Sequence, residues 1–92
     1  MKSIQISVFG IVQGVNFRAA SKAVADQLRI KGTVVNMPDG SVRIHAIGDD
    51  FEISELINFC NSGPERAKVE RVDVIDMELP EAKNFIILKR LT

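Results

Sequence analysis

The stretch Ile4-Gln5-Ile6-Ser7-Val8-Phe9-Gly10-Ile11-Val12-Gln13-Gly14-Val15-Asn16-Phe17-Arg18 decides the fold. Residues 4–11 alternate apolar and polar side chains, the period of a half-buried strand, and the glycines and polar residues at 10–16 end it. A helix should run from Phe17 to about Ile30. Ala20, Val24 and Leu28 recur there at four-residue spacing with Ala23 beside them, and Gly32 stands where a helix-ending glycine is expected. A strand, a tight loop and a helix with a small-residue face open a β-α-β unit.

Outward from that unit, residues 33–36 and 41–47 form two short strand-like runs around Met37-Pro38-Asp39-Gly40. Pro at the second turn position and Gly at the fourth suit a type I turn, so the pair reads as a hairpin. Asp49 or Asp50 can cap a second helix whose stripe Ile53, Leu56, Ile57 and Cys60 runs to Ser62-Gly63-Pro64, a glycine stop followed by proline. Residues 67–79 read as a long strand. Its apolar phase shifts between Val72/Val74 and Ile75/Met77/Leu79, as a bulge would produce, and Phe85–Leu88 makes a final short strand. The class is α+β: a ferredoxin-like β-α-β-β-α-β sandwich, two helices on one face of a mainly antiparallel sheet, with a short extra C-terminal strand. Residues 1–92 are expected to form a single domain, without internal repeats or low-complexity segments.

Composition narrows the function classes. No run of about 18 apolar residues is present, and the alternating N-terminus is unlike a signal peptide, so a cytoplasmic protein that uses no membrane is expected. One cysteine, Cys60, forms no internal disulfide, and one Cys with one His, His45, makes no structural zinc site. Twelve basic and twelve acidic residues cancel, which removes the broad footprint of a nucleic-acid binder. The distribution is uneven: residues 1–25 carry Lys2, Arg18 and Lys22 and no acid, which would suit a small anion, although three charges is also what chance supplies.

The fold brings one edge into focus. In a β-α-β unit the crossover is right-handed and both strands end at the same edge. The first strand delivers the loop at 12–18 and the second delivers Asn36, about 10 Å apart if the hairpin's third strand lies between them. Ligands of parallel strands favour that C-terminal edge. Backbone N–H groups curled just before a helix N-terminus make a concave donor array, and Gly14 permits the curl. Arg18 is the informative residue, because a cation in the first helical turn opposes the macrodipole, and such rule-breaking concentrates at functional sites. Its planar fork matches two phosphate oxygens. The plain alternative is an exposed arginine beside a well-packed Phe17.

Gly10-Ile11-Val12-Gln13-Gly14-Val15-Asn16-Phe17-Arg18 is similar to the signature loop of the acylphosphatase family, G-x-V-Q-G-V-x-F-R. A second stretch, Gly32-Thr33-Val34-Val35-Asn36-Met37-Pro38-Asp39-Gly40-Ser41-Val42 with Gly48 closing it, resembles that family's other signature. The resemblance continues through Gly63-Pro64, Ala67-Lys68-Val69 and Val72-Asp73-Val74 to Phe85-Ile86-Ile87, and so covers nearly the whole chain. It implies an acylphosphatase, hydrolysing the carboxyl-phosphate bond of small acyl phosphates to a carboxylate and inorganic phosphate. The loop Val12, Gln13, Gly14, Val15, Asn16, Phe17 and Arg18 would bind phosphate, Arg18 would bind the phosphoryl group and Asn36 would position the water. It also implies metal-independent chemistry without a cofactor, a substrate oxygen taking the water proton. Ile11 stands where a basic or aromatic residue is frequent, Val35 where a basic residue is frequent and Thr33 where an aromatic is common, so the fold and the pair should survive with modest activity. Asn16, at a variable position, is expected to cap the helix.

Other polar residues have plainer readings: His45 as an exposed sheet-face residue, Cys60 as core, Asp49 and Asp50 as caps, Asp73 and Asp76 as solvated edge residues. A single-stranded RNA binder of the same strand order would need sheet-face aromatics and a basic surface; Tyr and Trp are absent. A catalytically weak or inactive anion-binding or protein-interaction module is the other alternative. A monomer is the default for so small a chain.

Overall fold

The computed structural model describes residues 1–89. Strand β1 (Lys2–Ile11) leads through a loop into helix α1 (Phe17–Gln27) and strand β2 (Lys31–Asn36); β3 (Val42–Gly48), helix α2 (Asp50–Ser62), β4 (Lys68–Asp76) and β5 (Phe85–Leu88) follow. The sheet order is β4-β1-β3-β2-β5, antiparallel except for the β2–β5 pair. Strand β3 therefore lies between β1 and β2, as the hairpin required.

The core is the alternation of the sequence made solid. Ile4, Ile6 and Val8 of β1 face Val42, Ile44 and Ala46 of β3, and all are fully buried under the two helices with Ile53, Leu56 and Cys60 of α2. Burial pushes the Cys60 thiol up to about 12, which marks it as an inert core residue. Asp49 starts α2 with a full capping box: its carboxylate accepts the Glu52 N–H at 2.9 Å while Glu52 accepts the Asp49 N–H at 3.1 Å. On the open sheet face His45 is half-buried and sits 2.9 Å from the Gln5 amide oxygen. Desolvation, helped by the charge of Arg43, lowers its pKa from the usual 6.5.

Three local expectations are corrected. Helix α1 ends at Gln27, not near Ile30, because Arg29 itself turns left-handed at φ 59; Gly32 is a β2 residue. The buried face of α1 is Phe17, Ser21 and Ala25, one residue round from Ala20/Val24/Leu28. Ser21 can sit there because its hydroxyl donates to the Phe17 carbonyl at 2.8 Å, leaving no polar group unpaired. The bulge lies where Phe9 pairs with Arg71 and Gly10 with Val69, so Glu70 is the extra residue. Val74 and Ile75 are both exposed on the edge strand, so their apolar character does not report which way they face.

Gly32 occupies the seam between β3 and β5. Its φ is 141°, a Cβ there would overlap the His45 carbonyl, and its N–H donates to the Asn84 carbonyl at 3.0 Å. Gly32→Ala is expected to lower unfolding free energy by more than about 2 kcal/mol. Denaturant unfolding checks this, and a midpoint equal to wild type would contradict the packing described.

Candidate active site

Three chain segments converge on the edge where β1, β2 and β5 end. They enclose a cleft of about 330 Å3 lined by Val12, Gly14, Asn16, Phe17, Arg18 and Ala19 of the loop and first helical turn, Asn36 at the end of β2, and Ile87 and Lys89 of the C-terminal segment. The cleft is therefore built across the β1–α1–β2 crossover and the parallel β2–β5 pair, both of which deliver carboxyl ends to one side.

The loop is set by two left-handed residues, Gly14 at φ 75 and Asn16 at φ 68; alternation of left-handed with ordinary backbone is the pattern that forms anion-binding concavities of N–H groups. Asn16 holds the N-cap position, yet its side chain makes no capping bond, since a capping residue needs extended backbone and Asn16 is left-handed. The first amide of α1 to find a helical carbonyl is Ala20, which donates to Asn16 at 3.1 Å. The amides of Phe17, Arg18 and Ala19 are left to an external acceptor. Phe17, buried against Phe59 with ring centroids 5.7 Å apart, anchors this turn in the core.

Arg18 is half-buried, and its Nη1 donates to the Leu88 carbonyl at 3.1 Å, leaving further guanidinium donors for the cleft. The Oδ1 of Asn36 is buried without a hydrogen-bond partner while its residue lines the same cleft. A buried acceptor without a partner carries a desolvation cost. Among the described residues no carboxylate lines the cleft. Among the described residues no three His, Cys, Asp or Glu side chains gather as a metal-binding group would require.

The other residues singled out in the sequence fall elsewhere. Val15 does not line the cleft, and neither does Gln13, whose amide Nε2 donates to the carbonyls of Met37 and Ser41 at 2.8 and 2.9 Å. Gln13 therefore ties the loop to the base of the hairpin that carries Asn36. Ile11, Thr33 and Val35 lie outside the cleft too: Ile11 is exposed, while Thr33 and Val35 pair with His45 and Arg43. Of the early cations, Lys2 pairs with Gly48 at the opposite end of β1, and Lys22 is engaged by Asp26 and the Phe85 carbonyl at 3.0 and 2.8 Å. Lys89 and Ile87 were not anticipated from the sequence. The signal was the final strand, whose parallel pairing with β2 carries the next basic residue to the same edge.

The family model described as Acylphosphatase matches residues 4–87. The chain is 49% identical over 87 residues to an acylphosphatase of Thermotoga petrophila, covering 95% of this chain and 97% of that one. It is 40% identical over 85 residues to an acylphosphatase of Archaeoglobus fulgidus, covering 92% and 96%. A crystal structure of acylphosphatase from Bacillus subtilis superposes with a TM-score of 0.92 at 31% identity, covering 96% of this chain and 99% of that chain.

Gln13→Ala removes both ties between loop and hairpin. Unfolding free energy should fall by about 1–3 kcal/mol, and kcat on an acyl phosphate by about tenfold as loop and Asn36 drift apart. Chemical denaturation and steady-state kinetics check the two effects; full activity in a destabilised variant would contradict the positioning role.

Proposed function

Because the chain belongs to the acylphosphatase family, and so hydrolyses the carboxyl-phosphate bond of acyl phosphates to a carboxylate and inorganic phosphate, we propose that Arg18 and Asn36 carry the reaction within one domain of residues 1–92. The loop Val12-Gln13-Gly14-Val15-Asn16-Phe17-Arg18 binds the phosphoryl group, with Gln13 and Val15 acting by shaping the backbone that presents the amides. Arg18 contributes a charge-assisted fork to the phosphoryl oxygens. Asn36 receives a hydrogen bond from the attacking water and aims its lone pair at phosphorus.

Water oxygen bonds to phosphorus as the bond from phosphorus to the acyl oxygen breaks, and the electron pair leaves with the carboxylate. The water proton passes to a phosphoryl oxygen, so the products are a carboxylate and dihydrogen phosphate, and charge balances. A carboxylate is stable as an anion at neutral pH and needs no general acid. Phosphoryl transfer then asks chiefly for positioning and charge. The observation that supports this reading best is the convergence of Asn36 and Arg18, from segments far apart in the chain, on one cleft.

Under this reading the enzyme works as a cytoplasmic monomer on small acyl phosphates, without metal, cofactor, nucleic acid or membrane. Balanced charge argues against a polyanionic partner. The aromatic at the open sheet face, Phe9, is already covered by the Arg71 guanidinium, 4.2 Å from the ring centroid.

Steady-state hydrolysis of acetyl phosphate tests the pair. Arg18→Ala should lose more than about 10³-fold in kcat/KM and Asn36→Ala about 10²- to 10³-fold, with Arg18→Lys failing to restore the fork. Glycerol phosphate, whose alkoxide needs protonation, should be left intact by the wild-type enzyme. Retention of activity within tenfold in Arg18→Ala, or comparable turnover of the two substrates, would overturn the assignment.

A further inference from the structure

The cleft holds a second cation. Strand β5 runs parallel to β2 with Phe85 opposite Gly32, Ile87 opposite Val34 and Leu88 opposite Val35, so the next step brings Lys89 level with Asn36. Phe85, Ile87 and Lys89 share one face of that strand by alternation, and both Ile87 and Lys89 line the cleft. Leu88, the residue just before Lys89, supplies the carbonyl that holds the Arg18 guanidinium at 3.1 Å. Arg18 is therefore tied to the main chain immediately before Lys89, and both residues line one cleft.

Among the described residues no carboxylate lines the cleft, and the ion pairs found among them, Lys22–Asp26 and Arg71–Asp73, use neither Arg18 nor Lys89. Two like charges facing one small, largely apolar-lined space repel each other until an anion enters. The charge count then chooses the anion. A phosphoryl group carries two negative charges above its second ionisation, and Arg18 alone would leave one of them uncompensated except by amide dipoles.

We propose that Lys89 is a second phosphate-binding cation of this site and that, with Arg18, it makes the cleft select a phosphoryl dianion over a monoanion. The proposal rests on the reading that the cleft binds the phosphoryl group of the substrate. The two cations divide the task by chemistry. Arg18 is a planar fork held by a backbone carbonyl and fixes orientation. Lys89 is a point charge on a flexible stem; it supplies attraction with little geometric demand. Its contribution therefore falls on binding, alike in ground state and transition state, and appears in KM rather than kcat.

The experiment compares wild type, Lys89→Gln, Lys89→Arg and Arg18→Ala. It reads KM and kcat for acetyl phosphate, and competitive inhibition by inorganic phosphate at about pH 5.5 and about pH 8.5, on either side of its second ionisation. Lys89→Gln should raise KM and the phosphate inhibition constant about tenfold at the higher pH, with kcat within about threefold of wild type. The wild-type preference for phosphate at the higher pH should shrink in Lys89→Gln and return in Lys89→Arg. A wild-type inhibition constant for Lys89→Gln at both pH values, or a fall in kcat with KM unchanged, overturns the proposal. The control separates the two readings: an active Arg18→Ala sinks the phosphoryl-binding reading itself, whereas an inactive Arg18→Ala beside an unaffected Lys89→Gln sinks only the role of Lys89.

Discussion

A guanidinium in the first turn of α1 is held by a carbonyl seventy residues further along the chain, Leu88, at 3.1 Å. That hydrogen bond closes the site. It is possible only because β1 and β2 run in the same direction while β5 adds in parallel to β2, so that three strands finish at one edge. Were β5 antiparallel to β2, its far end would carry Leu88 away from the loop and Arg18 would face solvent. The catalytic edge is thus a property of strand direction before it is a property of any side chain.

The site is spare because its chemistry asks little. An acyl phosphate releases an anion that water already tolerates, so the protein need not supply an acid, and no carboxyl among the described residues lines the cleft. What it supplies is arrangement: amides freed at a helix start by a left-handed Asn16, a fork tied by main chain, and a carboxamide oxygen held open in a buried position. An open acceptor in an interior costs stability, and strained or unsatisfied groups persist where function selects them.

Much of this was legible in the sequence, for reasons that differ by element. The strands and α2 declared themselves because alternation and a four-residue stripe report burial directly, as Ile4/Ile6/Val8 and Ile53/Leu56/Cys60 do. Asn36 was placed beside the loop by topology alone. Where the signal was chemical rather than periodic it misled. Ser21 is polar by type, but its self-satisfied hydroxyl makes it a core residue, which rotated the buried face of α1. Arg29 adopts a left-handed backbone that glycine was expected to provide, which moved the end of that helix. The tie from Gln13 to the hairpin, and the arrival of Lys89, depend on distances between segments far apart in the chain, which composition and spacing do not encode.

The account stands or falls on whether these groups converge on one tetrahedral anion. A crystal structure of the protein grown with inorganic phosphate measures that directly. The ion should sit in the cleft against the amides of the 12–18 loop and the Arg18 fork, with an ordered water bridging it to the Asn36 carboxamide. An ion found elsewhere on the surface at full occupancy, or one in the cleft with Asn36 turned from it and no bridging water, would contradict the account.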